Sequence, residues 1–229
     1  MFPNNKIDYT LLDNSASNEA IENLCEKATQ LGVKSVCVMP KHVGQSAKLL
    51  AGSNVLVCSV VSFPNGANTI EEKIEELKEI VYQGADEIDV VWNYHRINEP
   101  EYLQLEISQI NEARNQLKTS KGNTPLLKVI VESGLLTNEQ TALATKICME
   151  IDVDFIKTST GKVDVGAEVD KVQIMDRTIG NHTLKIKASG GIRTKEQIDV
   201  FNPLVERFGI GYASVDEMNG INNSEKSNY

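Results

Sequence analysis

The chain is expected to fold as an α/β protein, a single-domain (β/α)8 TIM barrel, and three observations predict this. Short apolar, β-prone segments alternate with longer amphipathic ones from end to end, about eight of each, as a barrel of strand–helix units requires. Charged residues sit at alternate positions inside several strands: Glu87 and Asp89 in one, Lys128 and Glu132 in another, Lys185 and Lys187 in a third. A parallel strand covered on both faces reads as nearly continuous Val, Ile and Leu. Charges at period two instead fit side chains that converge inside a closed barrel and at its mouth. Third, 229 residues suit the compact end of barrel sizes. A doubly wound open sheet would explain the alternation of elements but not the polar strand faces.

Taken in order, strands are expected over 6–9, 34–39, 55–63, 86–92, 126–132, 154–159, 184–189 and 206–210. Helical spacing near 3.6 is clear in the first intervening segment, at Ile21, Leu24, Cys25, Ala28 and Leu31. Thr69 with Glu72, Thr137 with Gln140 and Thr194 with Gln197 have the spacing of capping boxes, which mark helix starts. Gly32 and Gly84 stand where helices end. Pro125 introduces the fifth strand from outside it. The barrel is expected to occupy residues 1–214. The polar stretch 215–229 reads as a flexible C-terminal tail.

Composition narrows the function. A net charge of −9 disfavours nonspecific binding to nucleic acid or anionic membrane, both of which need a basic face. No apolar run approaches the roughly 18 residues of a membrane span, and MFPNNKIDYT has no signal-peptide character. Cys25, Cys37, Cys58 and Cys148 lack metal or redox spacing, which suits reduced thiols in the cytoplasm. His42, His95 and His182 are isolated, so neither a metal site nor a cofactor motif is legible. The segment around Gly161-Lys162 lacks the first glycine of a Walker A loop, and GIGYAS at 209–214 has no following strand.

The chemistry concentrates in DFIKTSTGK, residues 154–162. Lys157 ends an apolar strand, and a strand-end lysine ordinarily snorkels to solvent. Lys187, at the corresponding place on the next strand, changes that reading. Two ammonium groups at ~4 Å and an effective dielectric of ~20 repel by roughly 4 kcal/mol. Such repulsion would lower one lysine by about three pKa units, to around 7. A partly neutral amine is the nucleophile that carbonyl chemistry needs. Asp89, among β-branched residues, is the acidic partner for these cations and a candidate proton shuttle. Asp8 and Lys128 would extend the charge network, with structural and substrate-orienting roles both open. Glycines and cations follow the last three strands: Gly161 and Lys162, then Gly190, Gly191 and Arg193, then Gly209 and Gly211. Barrels commonly bind phosphate at these loops. Arg193 could grip the anion or pair at a helix start.

DEIDVV, LLKVIVESG, DFIKTSTGK and KASGGIRT resemble, in order and spacing, the deoxyribose-phosphate aldolase family, over most of the chain. The resemblance implies a class I aldolase that reversibly cleaves 2-deoxy-D-ribose 5-phosphate to D-glyceraldehyde 3-phosphate and acetaldehyde without a metal or other cofactor. It implies Lys157 as the Schiff-base lysine, Lys187 as the neighbour that activates it, and Asp89 as the proton relay. It makes Gly161, Lys162, Gly190, Gly191 and Arg193 the phosphate site. It further implies that Tyr229, at the end of the tail, assists proton transfer. The partner would be a small sugar phosphate in deoxyribonucleotide catabolism, and a homodimer stays open. The chain departs from the family at RFGIGYAS, where Gly211 and Tyr212 replace expected serines, so weaker phosphate binding is expected. The segment VDEMNGINN reads as a poor helix former. Two rivals are a Schiff-base barrel enzyme for another sugar phosphate and a sugar-phosphate sensor without catalysis. The pair of mutually repelling lysines argues against the sensor.

Overall fold

Alternation within each strand determines which side chains meet the helices and which enter the barrel. Ile7 and Tyr9, Val36 and Val38, Ile88 and Val90, Leu127 and Val129, and Phe208 and Ile210 belong to the large apolar core, packed between strands and helices. Their neighbours Asp8, Ser35, Glu87, Asp89, Lys128 and Arg207 are equally buried and bond one another across the interior. A period of two thus sorts one strand between an oily exterior and a charged interior.

The computed structural model describes residues 2–221. The strands are β1 (Ile7–Leu11), β2 (Ser35–Val38), β3 (Leu56–Val61), β4 (Glu87–Val91), β5 (Leu126–Ile130), β6 (Phe155–Lys157), β7 (Lys185–Ser189) and β8 (Arg207–Gly211). All neighbours are parallel, and β8 returns to β1 through pairs such as Asp8↔Gly209, closing an eight-stranded barrel. The helices are α1 (Asn18–Leu31), α2 (Val43–Leu49), α3 (Ile70–Gln83), α4 (Pro100–Asn115), α5 (Asn138–Ile151), α6 (Val169–Ile179), α7 (Lys195–Phe201) and α8 (Tyr212–Met218). The (β/α)8 fold is therefore the one the sequence predicts.

Local signals hold as well. Thr69, Thr137 and Thr194 each form the full reciprocal capping box at the starts of α3, α5 and α7. Gly32 and Gly84 end α1 and α3 in left-handed conformation. Strand ends differ. The expected fifth and sixth strands overshoot, because the chain turns sharply at Glu132 (φ 52°) and leaves the ladder after Lys157.

The last unit corrects the sequence reading. Despite its composition, the segment after β8 forms α8, which passes residue 214, the expected end of the barrel. Tertiary anchors explain this. Val215 and Met218 join the core, while Asp216 accepts a hydrogen bond from Tyr9 and forms a 2.8 Å ion pair with Lys27. Tertiary packing here overrides weak propensity. Tyr229 lies outside the described residues.

Candidate active site

Parallel register brings the singled-out side chains to one place. Lys157 stands opposite Lys187, Lys128 opposite Asp89, and Lys187 opposite Arg207. These residues share the inward face, so their side chains converge on Asp89. Its Oδ1 accepts from Lys128 at 2.8 Å, and its Oδ2 accepts from both Lys157 (2.7 Å) and Lys187 (2.6 Å). The Cys58 thiol also donates to Oδ1, at 3.2 Å. Lys187 reaches Asp8 as well, and Lys128 reaches Glu87 at 2.8 Å.

Arg207 completes the network and was not singled out from the sequence. It bonds Asp8 Oδ1 at 2.6 Å and both oxygens of Glu87. The signal was present: Arg207 lies at period two with Gly209 and Gly211 in an otherwise apolar strand. The network joins four cations (Lys128, Lys157, Lys187, Arg207) to three carboxylates (Asp8, Glu87, Asp89), one positive charge in excess. Among the described residues, Lys157 is the cation of this network with the fewest carboxylates, its one ion pair being to Asp89. It is 3% exposed, whereas Lys128 and Lys187 are at 0%.

Electrostatics fixes most of these charges. Burial pushes the Asp89 carboxyl up, but Lys128, Lys157 and Lys187 outweigh it and hold Asp89 well below the usual range. Asp8 is likewise lowered, because Arg207, Lys187 and Lys128 overcome its burial. Burial opposes charge on Lys187, yet Asp8 and Asp89 raise it above the ordinary lysine range. The same contest, won by Asp89 and its neighbours, raises Lys128. Lys187 is thus held as a cation in register with Lys157.

Cys37, Cys58 and Asp89, or Asp8, Cys58 and Glu87, lie close enough to form three-ligand sets. The donors suit a metal poorly. Asp89 already serves three ammonium groups, and burial keeps the Cys58 thiol above its usual range, away from the thiolate that coordination needs.

The loops after β6 and β7 meet beside Lys157. Gly161 (φ 76°) and Gly190 (φ 86°) adopt left-handed backbone. At Gly166, an added Cβ would come within 2.2 Å of the Gly190 carbonyl oxygen, so only glycine permits this contact. Lys162 is exposed on this rim. Arg193 is also exposed, and its backbone N–H donates to Gln197 at the start of α7. Gly191 lies beside it with φ 76°. Gly209 differs from this group: it lies within β8, where an added Cβ would stand 3.0 Å from Lys187 Cε, so its lack of a side chain makes room for that lysine. Gly211 joins β8 to α8.

Two further residues became visible only in three dimensions. Glu132 leaves the Lys128 face through its left-handed backbone and bonds Thr160 at the base of the β6 loop. Burial raises its carboxyl, with Thr160 and Lys157 pulling the other way. Thr158 joins this loop to β7 by a hydroxyl bond to the Ser189 carbonyl.

Barrel and charge network together place a buried lysine at the C-terminal end of a strand of a (β/α)8 fold, the end at which enzymes of this fold carry their sites. The model of the DeoC/LacD family aldolases matches residues 7–201. A deoxyribose-phosphate aldolase of Malacoplasma penetrans is 43% identical over 194 residues, covering 85% of this chain and 84% of that one. One from Treponema denticola is 40% identical over 220 residues, covering 95% and 96%. The tetrameric deoxyribose phosphate aldolase of Aeropyrum pernix superposes with a TM-score of 0.83 at 27% identity, covering 95% of this chain and 89% of that one. The chain belongs to the DeoC/LacD aldolase family. Among the described residues, no helix is long and apolar enough to cross a membrane.

Proposed function

We propose that this protein is a class I deoxyribose-phosphate aldolase that cleaves 2-deoxy-D-ribose 5-phosphate reversibly to D-glyceraldehyde 3-phosphate and acetaldehyde. The observation that carries the site assignment is the convergence of Lys157 and Lys187 on one oxygen of Asp89. Lys157 is the nucleophile, because it is the most exposed of the three lysines and, among the described residues, is bound by the fewest carboxylates.

The neutral amine attacks the C1 aldehyde of the open-chain sugar, giving a carbinolamine. Asp89, hydrogen-bonded to both lysines, passes protons as the hydroxyl leaves as water and an iminium forms. Loss of the C3 hydroxyl proton then breaks the C2–C3 bond. The bonding pair moves into the iminium, giving an enamine and releasing glyceraldehyde phosphate. Protonation at C2 and hydrolysis free acetaldehyde and restore Lys157. Lys187 stays charged throughout, held by Asp8 and Asp89.

The phosphate is assigned to the rim formed by Gly161, Lys162, Gly190, Gly191 and Arg193. Left-handed glycines there free backbone N–H groups, and two cations stand beside them. Buried, unpaired cysteines support a reducing compartment, so cytoplasmic deoxyribonucleotide catabolism is the setting we propose. Self-association through helix faces, as a dimer or as a tetramer like the Aeropyrum pernix enzyme, is part of the same proposal.

Borohydride reduction in the presence of acetaldehyde tests the assignment. An ethyl adduct of about 28 Da should map to Lys157, and Lys157→Ala should abolish it. An adduct confined to Lys187, or none, would overturn the reading.

A further inference from the structure

We propose that Glu132 is a positioning residue for phosphate recognition: its buried carboxylate clamps Thr160 and thereby sets the backbone that presents Gly161 and Lys162 to the anion. The inference rests on the phosphate rim assigned above.

Glu132 has φ 52° and ψ 56°, a conformation that favours glycine, and it is fully buried. A side chain held there against backbone preference requires compensating contacts, and such positions cluster at functional sites. The contacts all lead to the β6 loop. Thr160 N–H donates to the Glu132 carboxylate at 3.2 and 3.3 Å, and Thr160 Oγ1 donates to Oε2 at 2.6 Å. Because the hydroxyl hydrogen points at the carboxylate, the lone pairs of Oγ1 turn towards the loop, where they accept from Lys162 N–H at 3.1 Å. Ser133 N–H fastens the same turn from the β5 side, donating to the Thr158 carbonyl at 2.8 Å. The chain Glu132–Thr160–Lys162 therefore fixes one loop conformation, the one in which Gly161 takes its left-handed turn. The charged and titratable groups facing Glu132 are Lys157 and Tyr94, with Thr160 as its direct partner.

The test compares 2-deoxyribose 5-phosphate with unphosphorylated 2-deoxyribose. Glu132→Ala and Thr160→Ala should each lower the ratio of kcat/KM between the two sugars at least about tenfold, chiefly through KM for the phosphorylated one. The double variant should be no worse than either single one. Thr160→Ser should retain most of the ratio, and Glu132→Gln, which keeps one acceptor oxygen, should fall between. If Glu132→Ala does not fold, Glu132→Gln and Thr160→Ala carry the comparison. Equal losses on both sugars would mean a merely structural role and overturn the inference. Lys162→Ala separates the two levels. If it lowers the ratio while the Glu132 and Thr160 variants do not, the inference fails and the phosphate rim stands. If it leaves the ratio unchanged, the rim assignment fails and the inference falls with it.

Discussion

Lys157 and Lys187 face each other in register across β6 and β7, and both donate to Asp89 Oδ2, at 2.7 and 2.6 Å. One carboxylate oxygen thus holds two ammonium groups side by side. The two differ in their other partners: Asp8 gives Lys187 a second anchor, and Lys157 has none among the ion pairs described.

That asymmetry predicts the effect of Lys187→Leu. Without the fixed cation, Asp89 serves Lys157 alone on that oxygen, and the neighbouring charge that the repulsion account invokes is gone. Activity should appear at a pH about one unit higher or more, with kcat down on the order of 100-fold near neutrality. A pH profile of kcat for the purified variant checks this; an unmoved profile would sink the charge-repulsion account.

Acid stability follows from Asp8 and Asp89, both held below the usual carboxylate range by neighbouring cations. A lowered folded-state pKa stabilises the fold above the unfolded value of about 3.9, and that contribution is lost as pH falls through the folded-state values. Urea unfolding should therefore show no loss from these groups between about pH 7 and 5 and a decline below about 4. Asp8→Asn should lower the plateau and flatten that decline.

Arg207→Met tests the closure of the network. It leaves Glu87 and Asp8 buried with one cation fewer, a change of the kind that costs about 3–5 kcal/mol. Equilibrium unfolding measures the loss directly. A cost under about 1 kcal/mol, the range of exposed pairs, would show that the pair is not buried in solution.

Gly166→Ala probes the contact between the β6 and β7 loops. Its Cβ would lie 2.2 Å from the Gly190 carbonyl oxygen, so the loops must separate. KM for the phosphorylated sugar should rise about tenfold, equivalent to ~1.4 kcal/mol of binding. Borohydride trapping of acetaldehyde, which carries no phosphate, should be far less affected.

The barrel was legible because its signals are local. Capping boxes at Thr69, Thr137 and Thr194 and the glycines after α1 and α3 act within a few residues, and all are formed. Lys157, Lys187 and Asp89 were legible because charge inside an apolar strand is costly and therefore informative. Glu132 was misread because a single left-handed residue breaks the period of two, and no neighbouring residue type announces it. Helix α8 was underrated for another reason: its stability comes from Tyr9, Lys27 and core contacts distant in sequence.

The sequence by itself determined the order of elements, the two-sided strands and the identity of the lysines and aspartate, since each depends on residue type and short spacing. Tertiary structure alone decided which oxygen of Asp89 the two lysines share, that Arg207 completes the charge network, and that Glu132 reaches Thr160. Those relations depend on strand register and barrel closure, which join residues such as Asp8 and Arg207 that lie at opposite ends of the chain. The electrostatic balance at Lys157 is a sum over all of these partners, and it exists only once the barrel is closed.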